Sequence, residues 1–433
     1  MALLPGRCQR RQGFLSRFAD AISTGTDHMP QATRNANETA LSLLAYCRNN
    51  DWAGIDPYDA LNSKIFTALP FLNCRLPRLA MTQVLKRSPL NIRSLLFIPK
   101  TQNPKALGIF LAALVKLDRL GLLEDKSLVA AMVENIARQR SADDSYWCWG
   151  YSFPWQTRTL IVPRLAPSLV CTVFVGEALL DAYEHSSHEG CLRMALSAAN
   201  YIRDKLYWDV GDSDAGLRYP TPASDSRIHN ANLLGAAFLA RASLLGGGER
   251  FLEPAWKLAR YSAGRQHADG SWPYGESPTQ RWIDNFHTGY NLCALRQVGR
   301  LLGTIEFEPF VERGYRFYVE HFFRENGAPR YFHNRTYPVD GHCVAQSIIT
   351  LLAFKDLRAD SVDLARRVFG WAATHMWNER GGFFYYRVLP GWTIKTPYMR
   401  WVQAWMLLAI STLLLEETVS LRVGDAQPMT SCV

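Results

Sequence analysis

The feature that constrains this chain most is a repeat. Six strongly apolar segments of about fifteen residues recur at intervals of about 55 to 65, each preceded by a short polar or aromatic cluster. They begin near Asn103, Pro167, His229, Asp284, Asp340 and Arg400. Such an interval is the length of a two-helix hairpin with its loops. Between them, residues 127–140, 189–206, 250–266, 307–323 and 361–376 carry apolar side chains at three- and four-residue spacing. Helices that are hydrophobic nearly all round belong inside, and helices with one apolar stripe belong outside. Six inner helices alternating with about six outer ones predict an all-α fold, an (α/α)6 barrel or toroid of six helical hairpins, over residues 49–416. Residues 1–48 read as a partly helical N-terminal extension, with 34–48 a further outer helix closing the ring, and 417–433 as a C-terminal tail.

Length and composition agree with a large buried core. A chain of 433 residues can hold two or three average domains, but a barrel of this kind uses that length as one. With 48% hydrophobic and 20% charged residues, the sequence has the balance of a globular protein. The nine cysteines are scattered and form no CxxC pair, which argues against a disulfide framework or zinc ribbon and for a reducing compartment. The first residues, MALLPGRCQRRQ, place charge after too short an apolar start for a signal peptide, and the apolar run 405–415 is about half a membrane span. A cytoplasmic location is therefore expected. The net charge of +9 is concentrated in residues 75–105, a basic, apolar-interleaved segment. It reads as the solvated face of a helical segment, with contact to a membrane surface or glycolipid carrier as the alternative. No nucleic-acid-binding motif is visible.

The loops after the outer helices are rich in glycine and aromatic residues: 146–155 (YWCWGYSFPW), 216–221 (GLRYPT), 270–276 (GSWPYGE), 327–337 (GAPRYFHNRTY) and 381–398. Each leads into an inner helix, so all lie on one face of the ring and the polar helix starts converge at one mouth. A helix N-cap needs a single Asp, Asn, Ser or Thr. Caps alone do not require His229, Asn230, Trp282, His287, Tyr290, Arg400, Trp401 and Gln403 on a shared rim. Aromatic faces that stack on sugar rings, beside amides and charges that take hydroxyls, suit a saccharide cleft. Trp155, Arg158, Trp272 and Glu276 complete the candidate substrate-binding set.

Some of these stretches resemble known families. Residues 260–272 (RYSAGRQHADGSW) resemble the QW-type repeat of terpenoid cyclase and prenyltransferase toroids, and 398–405 (YMRWVQAW) the helix starts of six-hairpin glycosidases and sugar epimerases. Both superfamilies are α/α toroids, so the resemblance bears on fold more than chemistry. NDWAGIDPYDALNS (50–63), residues 86–110, WCWGYSFPWQTR (147–158), HNANLLGA (229–236) and QRWIDNFHTGYNLCALR (280–296) together resemble the VpsJ-like bacterial polysaccharide biosynthesis family. Some of its members carry an aminolevulinate dehydratase label. That label conflicts with the helical repeat and with the lack of a lysine pair or cysteine-rich metal loop. The resemblance implies a polysaccharide or lipid-linked oligosaccharide as partner, and contact with a membrane or synthase complex, but assigns no catalytic residues.

Three chemistries fit these residues. Glycoside hydrolysis needs two carboxyl groups across the bond. Asp284 and Asp340, opening neighbouring inner helices, are the first candidates, with Glu276 and Asp56 in reserve. Elimination or epimerisation needs a base beside a carbonyl or carboxylate, for which His287, His342 and His229 are suited, with Arg158 or Arg400 holding a uronate. No cofactor is required for either. DNFHTGYNL and DGHC (340–343) are similar to the zinc motifs of protein prenyltransferase β subunits, in reversed order, which would make His287, Asp340 and His342 or Cys343 the ligands. The DxDD acid of class II terpene cyclases is absent; SADDSY (141–146) matches it only in part. A glycan-binding subunit without turnover would use the same cleft.

Overall fold

The computed structural model describes residues 35–142, 145–157, 160–211 and 214–425, with side chains to 419. The partial DxDD match at Asp143–Asp144 lies outside the described residues. The outer helices are α1 (Ala36–Asn49), α4 (Ser127–Arg138), α6 (Glu189–Tyr201), α8 (Leu252–Ala263), α10 (Glu308–Phe322) and α12 (Ser361–His375). The inner ones are α3 (Pro104–Arg119), α5 (Leu169–Ser186), α7 (His229–Ala242), α9 (Asn285–Leu302), α11 (Gly341–Ala353) and α13 (Ala404–Asp425). A further helix, α2 (Arg75–Arg87), lies in the segment between α1 and α3. Each inner helix packs on the next, and α13 returns to α3, so the ring closes. The chain therefore has the (α/α)6 toroid fold.

Burial follows the two sequence patterns. In α4 the buried residues are Val129, Met132, Val133 and Ile136, a single stripe spaced by three and four. Burying four such side chains stabilises the hairpin by roughly 1.5–3 kcal/mol each. In α3, by contrast, residues 104–111, 113–115 and 117 are all buried. Inner helices approach closely where a side chain is missing. A Cβ on Gly108 would fall 3.0 Å from the backbone of Phe174 and Val175 in α5.

The first and last described helices meet at the ring's closure. Helix α1 packs on α13 and on the strand Phe383–Phe384. Helix α13 runs on to Asp425, past the residue-416 boundary drawn from the sequence. Met399–Val419 is long and apolar enough to cross a membrane by length and composition, and here forms a wall of the inner ring. Within the basic segment 75–105, Arg75, Arg87 and Lys100 are exposed as a solvated face requires, but not every cation is. Arg93 is buried against Asp59 at 2.8 Å, a second small core gathers Ala60, Leu85 and Ile98, and Lys86 and Lys105 turn inward to the central cavity.

The inner helices all start at one end. Asn103, Asp284 and Asp340 adopt extended backbone and cap α3, α9 and α11, accepting from the N–H groups of Lys105, His287 and His342. Short strand pairs brace the loops above them. In one, Val339–Asp340 pairs with Arg387–Leu389, setting Asp340 opposite Arg387.

Candidate active site

The converging helix starts and the aromatic loops enclose a cavity of about 350 Å³ at the centre of the ring. The ring supplies its floor in a regular way. Lys105, Val170, Asn230, Phe286 and His342 are each the second residue of their inner helices, and Arg400 is the second residue of the turn Met399–Gln403 that leads into α13. The loops supply its walls, with Tyr151, Phe153 and Trp155 from the first, then Tyr219, Tyr274, Tyr331 and Phe332. Tyr58, Lys86, Trp155, Tyr219, Tyr274 and Trp282 also line a wider vestibule of about 1060 Å³, so the two spaces adjoin.

Two hydrogen-bonded pairs stand one helical turn apart on α9. In the first, Asp284 Oδ2 accepts from His287 Nδ1 at 2.7 Å and from Trp282 Nε1 at 2.9 Å, while Oδ1 accepts the His287 N–H at 3.0 Å. With Nδ1 held, Nε2 is the imidazole nitrogen left to the cavity, and the side chain is 20% exposed. In the second, Tyr290 Oη and His342 Nε2 lie 2.6 Å apart. His342 is stacked between Phe286 and Trp405, with centroids at 4.5 and 4.7 Å. Burial pushes its pKa well below the usual histidine range, with Lys105, Arg400 and His287 adding to the effect, so this imidazole is neutral. Burial likewise raises the Tyr290 hydroxyl, which keeps its proton.

The cavity's cations are in unequal states. Arg400 is gripped by Asp56, with Nε to Oδ2 at 2.6 Å and Nη2 to Oδ1 at 2.8 Å, beneath the Tyr151 ring. Lys105 has no carboxylate against it among the described residues. Its Nζ lies 4.3 Å from the centre of the Phe174 ring and 5.6 Å from that of Trp405, and burial, then Arg400, lower its pKa to about 7. Lys86 Nζ contacts Tyr58 Oη at 2.5 Å.

The other candidates fall in different places. Asp340 is fully buried and does not reach the cavity; its oxygens accept from Arg387 at 2.7 and 2.8 Å, Trp401 Nε1 at 3.0 Å and the His342 N–H at 2.9 Å. The Asp284–Asp340 pair expected to flank a glycosidic bond is thus not assembled, because Arg387 has claimed one partner. Trp401 lines the cavity while anchoring Asp340. Trp272 is a core residue, its Nε1 bound to the Ser262 carbonyl at 2.9 Å. Gln403 is buried too, its amide closing both backbone groups of Phe384. His229, the first residue of its helix rather than the second, is buried behind the cavity lining, and burial lowers its pKa to about 4. Glu276 belongs to the vestibule, where it accepts from Tyr261. Arg158 lies outside the described residues. Among the described residues, no three His, Cys, Asp or Glu side chains gather as a metal site. Of the four ligands considered for zinc, Asp340 is taken by Arg387, and burial raises the Cys343 thiol well above its ordinary range.

Sequence reasoning named the aromatic loops but singled out neither Tyr151, Tyr219, Tyr274 and Tyr331 within them nor Tyr58 outside them, and passed over Lys86 and Lys105. A signal for Lys105 was present. Aligning the helix starts puts it in the same position as Asn230, Phe286 and His342.

No protein-family model matches the sequence, and no curated protein matches it. Solved structures do match the fold. Cellobiose 2-epimerase from Bacillus thermoamylovorans superposes with a TM-score of 0.59 at 11% identity, over 74% of this chain and 90% of that one. An unsaturated glucuronyl hydrolase specific for heparin superposes with a TM-score of 0.59 at 12% identity, over 89% and 96%. A D-mannose isomerase gives 0.55 at 12%, over 73% and 87%. These proteins share the six-hairpin architecture with this chain.

Proposed function

We propose that this chain is a sugar-modifying enzyme that moves a proton at a carbon beside a carbonyl, as in epimerisation or aldose–ketose isomerisation. The observation that carries this reading is the pairing of Asp284–His287 with Tyr290–His342 on one cavity wall, where Asp284 is the only carboxylate lining the cavity among the described residues. His287 Nε2 takes the proton from the carbon, and the electron pair passes to the carbonyl oxygen as an enediolate. Tyr290, backed by His342, hydrogen-bonds the oxygen that gains the charge, and Asp284 steadies the imidazolium formed at His287; that imidazolium, exchanging with water, returns a proton to the neighbouring carbon to give the ketose, or to the other face of the first carbon to give the epimer, and is neutral again. Among the described residues the cavity has no second carboxyl, which standard glycoside hydrolysis needs. The sugar-isomerising neighbours of the same fold support the reading at the level of architecture. Incubation with reducing oligosaccharides, followed by separation of epimers, tests it. New epimers or ketoses support the reading, shortened chains would redirect it to hydrolysis, and binding without turnover would leave a glycan-binding subunit.

The biological setting we propose is exopolysaccharide production on the cytoplasmic side of the membrane, with a lipid-linked saccharide as substrate. Two features support it besides the sequence resemblance. Residues 60–117 contain no Asp or Glu. Around α2, beside the vestibule, Phe71, Leu76, Leu90, Leu95 and Phe97 are 65–76% exposed among the exposed cations Lys64, Arg75, Arg87 and Lys100. A basic face with protruding apolar side chains suits an anionic lipid surface.

A further inference from the structure

We infer that Lys105 is a binding site for an anionic group of the substrate, a carboxylate or a phosphate carried on the sugar, so that acidic saccharides are preferred to neutral ones. The inference rests on the reading of the cavity as a saccharide site and narrows its substrate class. Its basis is a charge imbalance. The cavity is lined by Lys86, Lys105 and Arg400 against one carboxylate, Asp284. The charge of Arg400 is met by Asp56, and Asp284 is occupied by His287 and Trp282. Lys105 alone is both buried, at 4% exposed, and without an acid against it among the described residues. A buried ammonium with no counter-charge is costly, and a protein tolerates one where a ligand supplies the missing anion. Asn230, two helices round the ring, offers a buried Oδ1 with no hydrogen-bond partner, placed to accept from a sugar hydroxyl.

The environment also dictates how binding depends on pH. Burial dominates at Lys105, Arg400 opposes its charge, Cys171 and Asp56 favour it, and nearby His342 is neutral, leaving a pKa of about 7. An anion beside Nζ favours the ammonium, so affinity for acidic saccharides is full below pH 7. It falls by up to tenfold per unit above that.

Calorimetric titration of the whole protein with a neutral disaccharide, one bearing a uronic acid and one bearing a phosphate monoester tests the inference and separates the two anions. The expected result is tighter binding of at least one acidic sugar. Lys105→Met should weaken that binding by about 10- to 100-fold, the loss expected of a charge-assisted hydrogen bond. It should change the neutral sugar by less than about threefold. Lys105→Arg should restore part of the loss, and circular dichroism confirms that each variant folds. Neutral sugar bound as tightly as both acidic ones, or Lys105→Met weakening all three alike, overturns the inference. Turnover of neutral sugars alone would overturn it while leaving the proposed reaction intact. Lys105-dependent anion binding without turnover would do the reverse.

Discussion

Asp284 and Asp340 open adjacent inner helices at equivalent points of the repeat, yet they have opposite fates. The first turns its Oδ2 to a histidine that faces the cavity, and the second is sealed beneath an arginine.

That difference makes the two aspartates separable by mutation. Asp284→Asn keeps a good N-cap but no longer accepts well from His287 Nδ1–H, so turnover should fall by about 10²- to 10⁴-fold with the melting temperature nearly unchanged. Steady-state kinetics beside a thermal melt give both numbers. An active Asp284→Asn enzyme would remove His287 from the proton-transfer role.

Asp340→Ala should instead be a stability mutation. It strands the Arg387 guanidinium, now 12% exposed, without its carboxylate. Removing one partner of a buried pair costs about 3–5 kcal/mol. The double variant Asp340→Ala/Arg387→Met should recover part of that loss in urea unfolding, and failure to do so would count against the pairing as the cause.

Much of this was legible beforehand. Hydrophobic periodicity alone yields the toroid, because an all-round apolar helix such as α3 and a single stripe such as Val129–Met132–Val133–Ile136 have different places to go. The caps Asn103, Asp284 and Asp340 were readable for the same reason, being local interactions. What a single sequence does not show is which partner arrives from elsewhere. Arg387 reaches Asp340 across a strand pair, Asp56 reaches Arg400 from the far end of the chain, and Ser262 takes the indole of Trp272. Each braces a candidate residue, and of the three only Arg400 still lines the cavity. Lys105 was missed for a different reason, since it lies both at the end of the basic stretch 75–105 and at the start of an inner helix, and the first reading hid the second.

The two tryptophans once grouped as sugar platforms should now behave differently. Trp155 lines both the cavity and the vestibule, so Trp155→Ala should weaken saccharide binding by about tenfold with little change in stability. Trp272→Ala should cost about 3–5 kcal/mol of stability through the cavity it leaves, with ligand affinity retained in the folded protein. Titration and chemical unfolding of both variants decide the matter.

Acidification should weaken the fold through His229. Its folded pKa of about 4 lies below the ordinary histidine value, so the unfolded chain binds the extra proton more readily. The penalty is absent above about pH 6.5, grows as pH falls from there toward 4, and reaches about 3 kcal/mol. His342, shifted in the same direction, adds to it. Melting temperatures across this window should fall less steeply for His229→Gln than for the wild type, and parallel curves would contradict the assignment.

If the face around α2 meets a membrane, the protein should sediment with vesicles containing phosphatidylglycerol and not with phosphatidylcholine alone. Replacing Phe71 and Phe97 by Ser should reduce that binding by about 10-fold or more, given the transfer free energy of two exposed aromatic side chains. Equal binding to both lipids, or none, would remove the membrane from the proposal.

The proton-transfer account is tested most directly by running the reaction in D2O and following the carbon-bound hydrogen next to the carbonyl of neutral and acidic reducing saccharides by NMR. The account predicts that wild-type protein exchanges this hydrogen for deuterium in at least one substrate as product forms, and that His287→Gln and Tyr290→Phe each slow exchange by about 10²-fold or more. Product formed without deuterium at that carbon, or exchange undiminished in both variants, would contradict it.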